Sequence, residues 1–367
     1  MQETDLKFMT LALDLARSGL GRTAPNPSVG CLIVNGDEIV GKARTGDGGR
    51  PHAEALALAA AGGKARGGTA YVTLEPCNTH GKTPPCIDAL ITSGIARVVI
   101  ACRDPYQQTH GAGGIEKLRQ AGLRVDTGLC ESEALALNEG FFLRITENRP
   151  FVTLKLATTL DGRIATAKGE SKWITGPKAR IRAHELRGTH DAVLAGIGTV
   201  LADDPLLTVR LQGHDGNQPV RIVIDPTLKI PLDSQLVRTA ADSAVWVLTG
   251  PDTDPLKSRM LEKQGVLLIS LPHTPFPPLA ILNALASRGI TRLLVEGGGK
   301  TSTPFLQAGL IDALAWFRAP KLLGADGVPA IGNLEVNSMN DMLNFTLVCS
   351  EKLGEDTLEI FYKPPLH

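Results

Sequence analysis

The chain has 367 residues, 43% hydrophobic and 21% charged, with 38 basic against 38 acidic side chains. That length accommodates two domains and the composition is that of an ordinary globular protein; a net charge of zero excludes a broad electrostatic footprint for nucleic acid or membrane, so an anionic ligand must meet local cations. Six cysteines, at 31, 77, 86, 102, 130 and 349, are too scattered for a disulfide framework and point to a reducing, cytoplasmic compartment, while no apolar run has signal or transmembrane length.

In chain order, Leu6, Met9, Leu13 and Ala16 recur at helical spacing up to Ser18-Gly19, which predicts an amphipathic helix with a glycine stop. Pro25-Asn26-Pro27 is a stiff loop leading into a strand over 29–34, and Asn35-Gly36 turns it into a second strand over 39–43. The Asn26 amide suits a pyrimidine-like edge or a phosphate as well as it suits a plain turn. Pro51-His52-Ala53-Glu54 opens a predicted helix over 53–61. A strand over 69–74 then delivers Glu75-Pro76-Cys77, and a helix over 84–93 carries Cys86 in its first turn.

One imidazole and two thiolates are the protein ligands of an open zinc site, with the fourth position left for water. The metal brings the pKa of that water towards neutrality, so hydroxide becomes available as a nucleophile. Glu54, two residues beyond His52, is placed to shuttle protons without binding metal. His-x-Glu followed by Pro-Cys and a second Cys is the pattern of zinc nucleobase deaminases. One departure is visible: the usual two-residue gap between the cysteines is here the eight-residue loop 78–85. Taken singly, His52 reads as a surface histidine and each cysteine as a core thiol. A loop rich in Asn, Thr, Gly, Lys and Pro between the two cysteines is poor core material, and the combination favours metal. Two helix N-termini converge there, and their partial positive charge favours thiolate.

An apolar strand over 96–101, a helix over 115–122 and a strand over 123–127 complete a mostly parallel sheet, with helices on both faces and the site at its strand ends. A helical pattern over 132–146 breaks at Glu147-Asn148-Arg149-Pro150, which sets the domain boundary between 1–147 and 148–367. The second half alternates again, with strands over 151–157, 192–195, 220–224, 244–248, 266–270 and 292–295. Gly196-Ile197-Gly198 follows a strand, but Leu201 stands where a dinucleotide fingerprint needs its third glycine. Glu296-Gly297-Gly298-Gly299-Lys300-Thr301 follows a strand and precedes a predicted helix over 303–309, so it is either a phosphate cradle or a flexible turn. Residues 203–210 combine two acids, a proline turn and Arg210: a solvated loop, or hydroxyl-binding acids with a phosphate-binding guanidinium.

With these residues in view, the whole chain resembles the family of bifunctional riboflavin-biosynthesis proteins, in which a pyrimidine deaminase is fused to a pyrimidine reductase. The likeness rests on Pro25-Asn26-Pro27-Ser28-Val29-Gly30, Pro51-His52-Ala53-Glu54, Thr73-Leu74-Glu75-Pro76-Cys77 and Gly81-Lys82-Thr83-Pro84-Pro85-Cys86 in the first half. In the second it rests on Lys155-Leu156-Ala157, Leu160-Asp161-Gly162-Arg163, Trp173-Ile174-Thr175, Thr199-Val200-Leu201-Ala202-Asp203-Asp204-Pro205 and Val295-Glu296-Gly297-Gly298. It implies an α/β chain: a cytidine-deaminase-like zinc domain over 1–147, then a dihydrofolate-reductase-like domain over 148–367.

The resemblance implies two steps on 2,5-diamino-6-ribosylamino-4(3H)-pyrimidinone 5′-phosphate: hydrolytic deamination at zinc, then NADPH reduction of the ribosyl group to ribityl. It makes His52, Cys77 and Cys86 the ligands of one Zn2+ per chain, and Glu54 the catalytic proton shuttle. Ala157, Trp173, Thr199 and Asp203, with the run Gly298, Gly299, Lys300, Thr301, Ser302, Thr303 and Pro304, would meet NADPH. Ser171, Arg187, Leu207, Arg210 and Glu296 would meet the substrate, as would Asn26 on the reading above. Arg210 and Arg187 are the candidates for its phosphate, and Trp173 for packing along the cofactor. Asn78-Thr79 departs from the family's usual Ser-His, which bears on loop contacts and not on the ligands. A homo-oligomer acting on a small molecule, with no nucleic acid or membrane partner, is expected.

Two competing readings remain at this point. A deaminase of free or nucleic-acid bases calls for a basic, aromatic-rich surface, whereas aromatic content is 4%. A structural zinc module calls for a fourth protein ligand, for which His80 is the nearest candidate.

Overall fold

The computed structural model describes residues 3–80, 84–105 and 113–364. Gly81-Lys82-Thr83, part of the sequence motif before Cys86, lies outside them. The chain divides into two compact units, Met1–Asn148 and Arg149–His367.

The first unit is built on five strands: β1 (Gly30–Asn35), β2 (Glu38–Arg44), β3 (Thr69–Leu74), β4 (Arg97–Cys102) and β5 (Arg124–Thr127), in the order β2-β1-β3-β4-β5. β3, β4 and β5 are parallel, but β1 is antiparallel to both β2 and β3. The sheet is therefore mixed and not mostly parallel as the alternating pattern predicts. The Asn35-Gly36 turn is the reason, since a tight turn between strands can only reverse the chain. β1, β3 and β4 are buried along nearly their whole length, as strands covered on both faces are. The helix Glu3–Arg17 contributes Phe8, Met9, Ala12, Leu13 and Ala16 to that core. These positions lie three or four residues apart, one stripe of an amphipathic helix.

The second unit carries β6 (Phe151–Thr159), β7 (Arg163–Ala165), β8 (Ala192–Gly196), β9 (Val220–Ile224), β10 (Val245–Thr249), β11 (Val266–Ser270), β12 (Arg292–Val295), β13 (Ala313–Ala319), β14 (Val328–Pro329), β15 (Thr346–Leu353) and β16 (Asp356–Tyr362). Nine of them form one sheet in the order β11-β10-β9-β8-β12-β6-β13-β16-β15, and β14 pairs with β7 apart from it. From β11 to β13 every pairing is parallel, and β16 and β15 close that edge antiparallel. β8 and β12 are neighbours, yet the chain leaves β8 towards β9 and leaves β12 past β6 towards β13. Connections that depart in opposite directions leave a crevice at the strand ends, where ligands of open α/β sheets bind.

His190, just before β8, is 1% exposed. Its Nδ1 lies 2.8 Å from the Leu186 carbonyl and its Nε2 lies 2.8 Å from Thr153 Oγ1. A neutral ring satisfies both, donating from Nδ1 and accepting from the hydroxyl. Burial, helped by the charge of Arg292, pushes its pKa down to about 3. Because the folded value is depressed, the ring's contribution is complete above roughly pH 6.5 and is lost as pH falls towards that folded value, where the unfolded chain takes up a proton the fold refuses. The second unit is expected to lose about 2 kcal/mol from this ring between roughly pH 6.5 and 5. His190→Gln should flatten that slope in urea melts at the two pH values; parallel slopes in variant and parent would exclude it.

Candidate functional site

Three elements of the first unit bring their ends together. His52 is the N-cap of the helix Ala53–Ala61, with φ −70° and ψ 153°. Cys77 follows β3 by three residues, and Cys86 is the first residue of the helix Cys86–Thr92. His52 Nδ1 lies 3.4 Å from Cys77 Sγ and 3.3 Å from Cys86 Sγ, and the three donor atoms all fall within 4.8 Å of one another. Tetrahedral zinc with sulfur at about 2.3 Å and nitrogen at about 2.0 Å separates its S and N ligands by roughly 3.5 Å. The donor set and its spacing fit that ion. The Cys86 amide donates to Cys77 Sγ at 3.3 Å, a helix-terminal N–H pointed at a sulfur that must carry negative charge. Hydrogen bonds from the Cys86 thiol and from His52 hold Cys77 far below the ordinary thiol range, while the same contact with Cys77, together with burial, drives Cys86 up.

Glu54 is 3% exposed. Burial, reinforced by the negative charge on Cys77, pushes its carboxyl up to about 7. A carboxyl that gains and loses a proton near neutrality is matched to general acid–base work. Asn26 lies in the loop before β1, and its Nδ2 donates to the Gly49 carbonyl at 2.9 Å, which ties that loop to the turn preceding His52. Gly49 has φ 86°, and a Cβ there would stand 2.5 Å from Asn26 Nδ2, so the tie requires glycine. Sequence reasoning missed Glu75. Its buried carboxylate accepts from the amides of Asp104 at 3.3 Å, Gly114 at 3.2 Å and Ile115 at 3.3 Å, anchoring the strand end that delivers Cys77. An acid on the last step of an apolar strand was the available signal.

In the second unit a cleft of about 630 Å³ opens at the C-terminal ends of β8 and β12. Gly196, Ile197, Gly198 and Thr199 line it from one strand, and Gly298, Gly299, Lys300 and Thr301 line it from the other. The glycine run after β8 thus borders the cleft despite its missing third glycine. A Cβ on Gly196 would stand 2.4 Å from Thr301 Oγ1, so glycine is what lets the two loops close on each other. The helix predicted over 303–309 begins earlier, as Gly299–Gln307 with Gly298 as N-cap. Residues expected in a loop are its first turn: the Thr301 and Ser302 amides donate to the Gly298 carbonyl at 2.8 and 3.2 Å, and the amides of Gly299 and Lys300 before them stand at the helix N-terminus, a place suited to phosphate. Ser302 and Thr303 are buried, and the Thr303 hydroxyl accepts from the Gly332 amide at 2.7 Å. The far wall, Pro226, Pro275, Phe276, Pro278 and Ile281, is apolar and was not foreseen; it suits a flat heteroaromatic ring. Anion-binding amides beside an apolar slot fit a dinucleotide.

Other predicted cofactor residues sit in β6 and the segments around it. Ala157 is within β6, opposite Phe317 of β13. Trp173 is 66% exposed, with the Arg180 guanidinium 4.5 Å from its ring centroid. Asp203 ends the helix Ile197–Asp203 and lies 3.9 Å from Lys172 Nζ; Ser171 is next to that lysine.

The predicted substrate residues converge in part. Arg187 engages Glu296 with both ends of its fork, at 2.5 and 2.9 Å, and donates to the Thr208 carbonyl at 3.0 Å. Burial would raise the Glu296 carboxyl, but Arg187 and Lys155 carry it down to about 2. Arg187 is therefore committed to a carboxylate and is the weaker of the two phosphate candidates. Arg210 is exposed and its Nη1 donates to Thr208 Oγ1 at 3.2 Å. Leu207 has φ 54° and is 3% exposed in the core, so only its main chain is available to a ligand. Two further residues join the group unannounced. Lys155 Nζ lies 3.7 Å from Glu296 Oε2, and burial lowers its pKa; a lone lysine in an apolar strand was its signal. His184 Nδ1 lies 3.1 Å from the Thr208 carbonyl and 3.3 Å from the Arg210 amide, and burial with the charges of Arg187 and Arg210 pushes its pKa down to about 4.

Residues 2–102 match the cytidine and deoxycytidylate deaminase zinc-binding region, and residues 150–358 match the RibD C-terminal domain. The riboflavin biosynthesis protein RibD of Aquifex aeolicus is 46% identical over 363 residues, which cover 99% of each chain. Among solved structures, Acinetobacter baumannii RibD superposes with a TM-score of 0.89 at 38% identity over 99% of each chain. A diaminohydroxyphosphoribosylaminopyrimidine deaminase/5-amino-6-(5-phosphoribosylamino)uracil reductase from Thermotoga maritima does so with 0.85 at 36% identity, over 98% of this chain and 99% of that one. No helix among the described residues is long and apolar enough to cross a membrane. The chain belongs to the RibD family: it is a bifunctional enzyme of riboflavin biosynthesis, a zinc-dependent deaminase and an NADPH-dependent reductase.

Proposed function

We propose that residues 1–147 carry out the deamination and residues 148–367 the reduction, on the phosphoribosylated diaminopyrimidinone that the name of the Thermotoga relative implies. The observation that carries the first half is the convergence of His52 Nδ1, Cys77 Sγ and Cys86 Sγ beside the buried carboxyl of Glu54. Those three atoms would hold zinc, which as a Lewis acid would make a nearby water more acidic. Glu54 takes a proton from the attacking water and passes it to the leaving amine, so that a C–O bond forms, the C–N bond breaks and ammonia departs. Asn26 orients the pyrimidine through the part of its amide not donated to Gly49.

In the reductase the apolar wall and the first turn after Gly298 would hold the ring and phosphates of NADPH, which would supply a hydride when bound. Ala157, Trp173, Thr199 and Asp203 complete that contact. Glu296, held by Arg187, faces the sugar with Ser171 and the main chain of Leu207, and Arg210 receives the substrate phosphate. The pure protein, given this substrate without NADPH, should release ammonia; added NADPH should then be oxidised. Oxidation with no prior ammonia release would reverse the order and sink the scheme.

Arg210→Lys should raise the KM of the reduction on the order of 10-fold, because an ammonium cannot copy a two-pronged guanidinium contact with phosphate. Ammonia release should be unchanged. If the variant instead loses its preference for NADPH over NADH, Arg210 serves the cofactor and not the substrate.

A homo-oligomer and a cytoplasmic location complete the reading. The edge strand β15 exposes Leu347 and Val348, as a strand awaiting a partner does, and zinc thiolates need a reducing compartment. A monomeric mass by light scattering would overturn the first, and export of the native protein the second.

A further inference from the structure

Asn138 interrupts the regular backbone of the helix Glu131–Thr146, with φ −104° and ψ 15°, and is 4% exposed. Its side chain meets Ser28, 110 positions away in the chain. The Ser28 amide donates to Asn138 Oδ1 at 2.9 Å, and Asn138 Nδ2 donates to the Ser28 carbonyl at 3.0 Å. That two-way exchange is what a residue of an antiparallel neighbour strand supplies. A carboxamide presents both a donor and an acceptor on one planar group.

The stretch so held leads into the deaminase site. Pro25 and Pro27 have no N–H to anchor it, and Ser28 carries the first main-chain donor after Pro27. Asn26, two residues back, reaches the turn before His52 through Gly49. The Ser28 hydroxyl donates to the Ala16 carbonyl at 2.6 Å, and the Val29 amide donates to Thr45 Oγ1 at 2.9 Å. At Ser28 side chains thus supply the partners, and main-chain pairing resumes at Val29, whose carbonyl accepts from the Thr45 amide at 2.8 Å.

We propose that Asn138 is a positioning residue of the deaminase, whose carboxamide fixes the loop over 25–28 so that Asn26 meets the pyrimidine. The proposal rests on the reading of Asn26 as a substrate contact. Asn138→Asp keeps the shape and the acceptor for the Ser28 amide but turns a carboxylate oxygen towards the Ser28 carbonyl. At a temperature where the protein is fully folded, the KM of deamination should rise about 10-fold or more, since small displacements of an orienting group are costly. The turnover number should fall less, and zinc content and reduction of already deaminated substrate should not change.

Val125→Ala, a core truncation on the outermost strand β5, controls for lost stability: it should lower the melting temperature and leave KM alone. Should Asn138→Asp not fold, Asn138→Ala serves for the same measurement. An unchanged KM, or an equal rise in Val125→Ala, overturns the positioning role. Asn26→Ala separates the two layers. An unchanged KM there overturns the Asn26 contact and the positioning role with it; a raised KM there beside an unchanged KM in the Asn138 variant overturns the positioning role alone.

Discussion

Glu54→Gln is expected to retain zinc and to lose deamination by a factor on the order of 10² to 10⁴. The side chain is isosteric, so His52, Cys77 and Cys86 keep their arrangement at the start of the helix Ala53–Ala61 and at the end of β3. A carboxamide neither ionises nor takes up a proton near neutrality, so it cannot carry one from water to amine. Metal analysis should match the parent, and NADPH-dependent reduction of already deaminated substrate should be intact. The buried position of Glu54 means that solvent cannot easily substitute for the carboxyl. Deamination at the parent's rate in a zinc-replete variant would remove Glu54 from the proton path.

Cys86→Ser should have the complementary effect: zinc is lost, and with it both deamination and part of the first unit's stability. A serine hydroxyl is not ionised near neutrality and is a poor ligand for zinc, which prefers thiolate and imidazole. Loss of one of three protein donors leaves His52 and Cys77, too few to hold the ion against exchange with solvent. The helix Cys86–Thr92 and the end of β3 then lose the metal tie and keep contacts such as the Ile87 amide to the Cys77 carbonyl at 3.3 Å. The first unit should melt several degrees lower, on the order of 1–3 kcal/mol less stable, while a chelator should bring the parent to the same point. Zinc retained at the parent's level in Cys86→Ser would mean that another group completes the site. The second unit, compact in itself, should reduce its substrate as before.

Much of the molecule was legible in the residues. Apolar runs bounded by glycine and proline placed β3, β9, β11 and β12 at their observed bounds, and the helix Ala53–Ala61 likewise; for β3, β9 and β12 burial on both faces leaves an unbroken hydrophobic signature. The strands β13, β15 and β16 were missed. β15 is exposed along most of its length, and an edge strand with little buried face has no alternation to read. The metal donors were legible because zinc demands particular atoms, and those atoms belong to few residue types. Positions that serve through the main chain, or through another side chain, carry no such mark.

The sequence by itself pointed to the groups proposed for the chemistry: His52, Cys77 and Cys86, whose donor atoms the fold brings within 4.8 Å of one another, Glu54 as the acid beside them, and glycine loops after strands as the nucleotide contacts we propose. Ligand chemistry is local to a side chain, so composition and spacing suffice to point to it. Only the tertiary structure decided what those groups face. It set Arg187 against Glu296 and left Arg210 exposed beside Thr208, buried the Leu207 side chain, and joined Asn138 to Ser28 across 110 positions. Each of these depends on packing between segments far apart in the chain, where partners are chosen by geometry and burial and no local pattern records the choice.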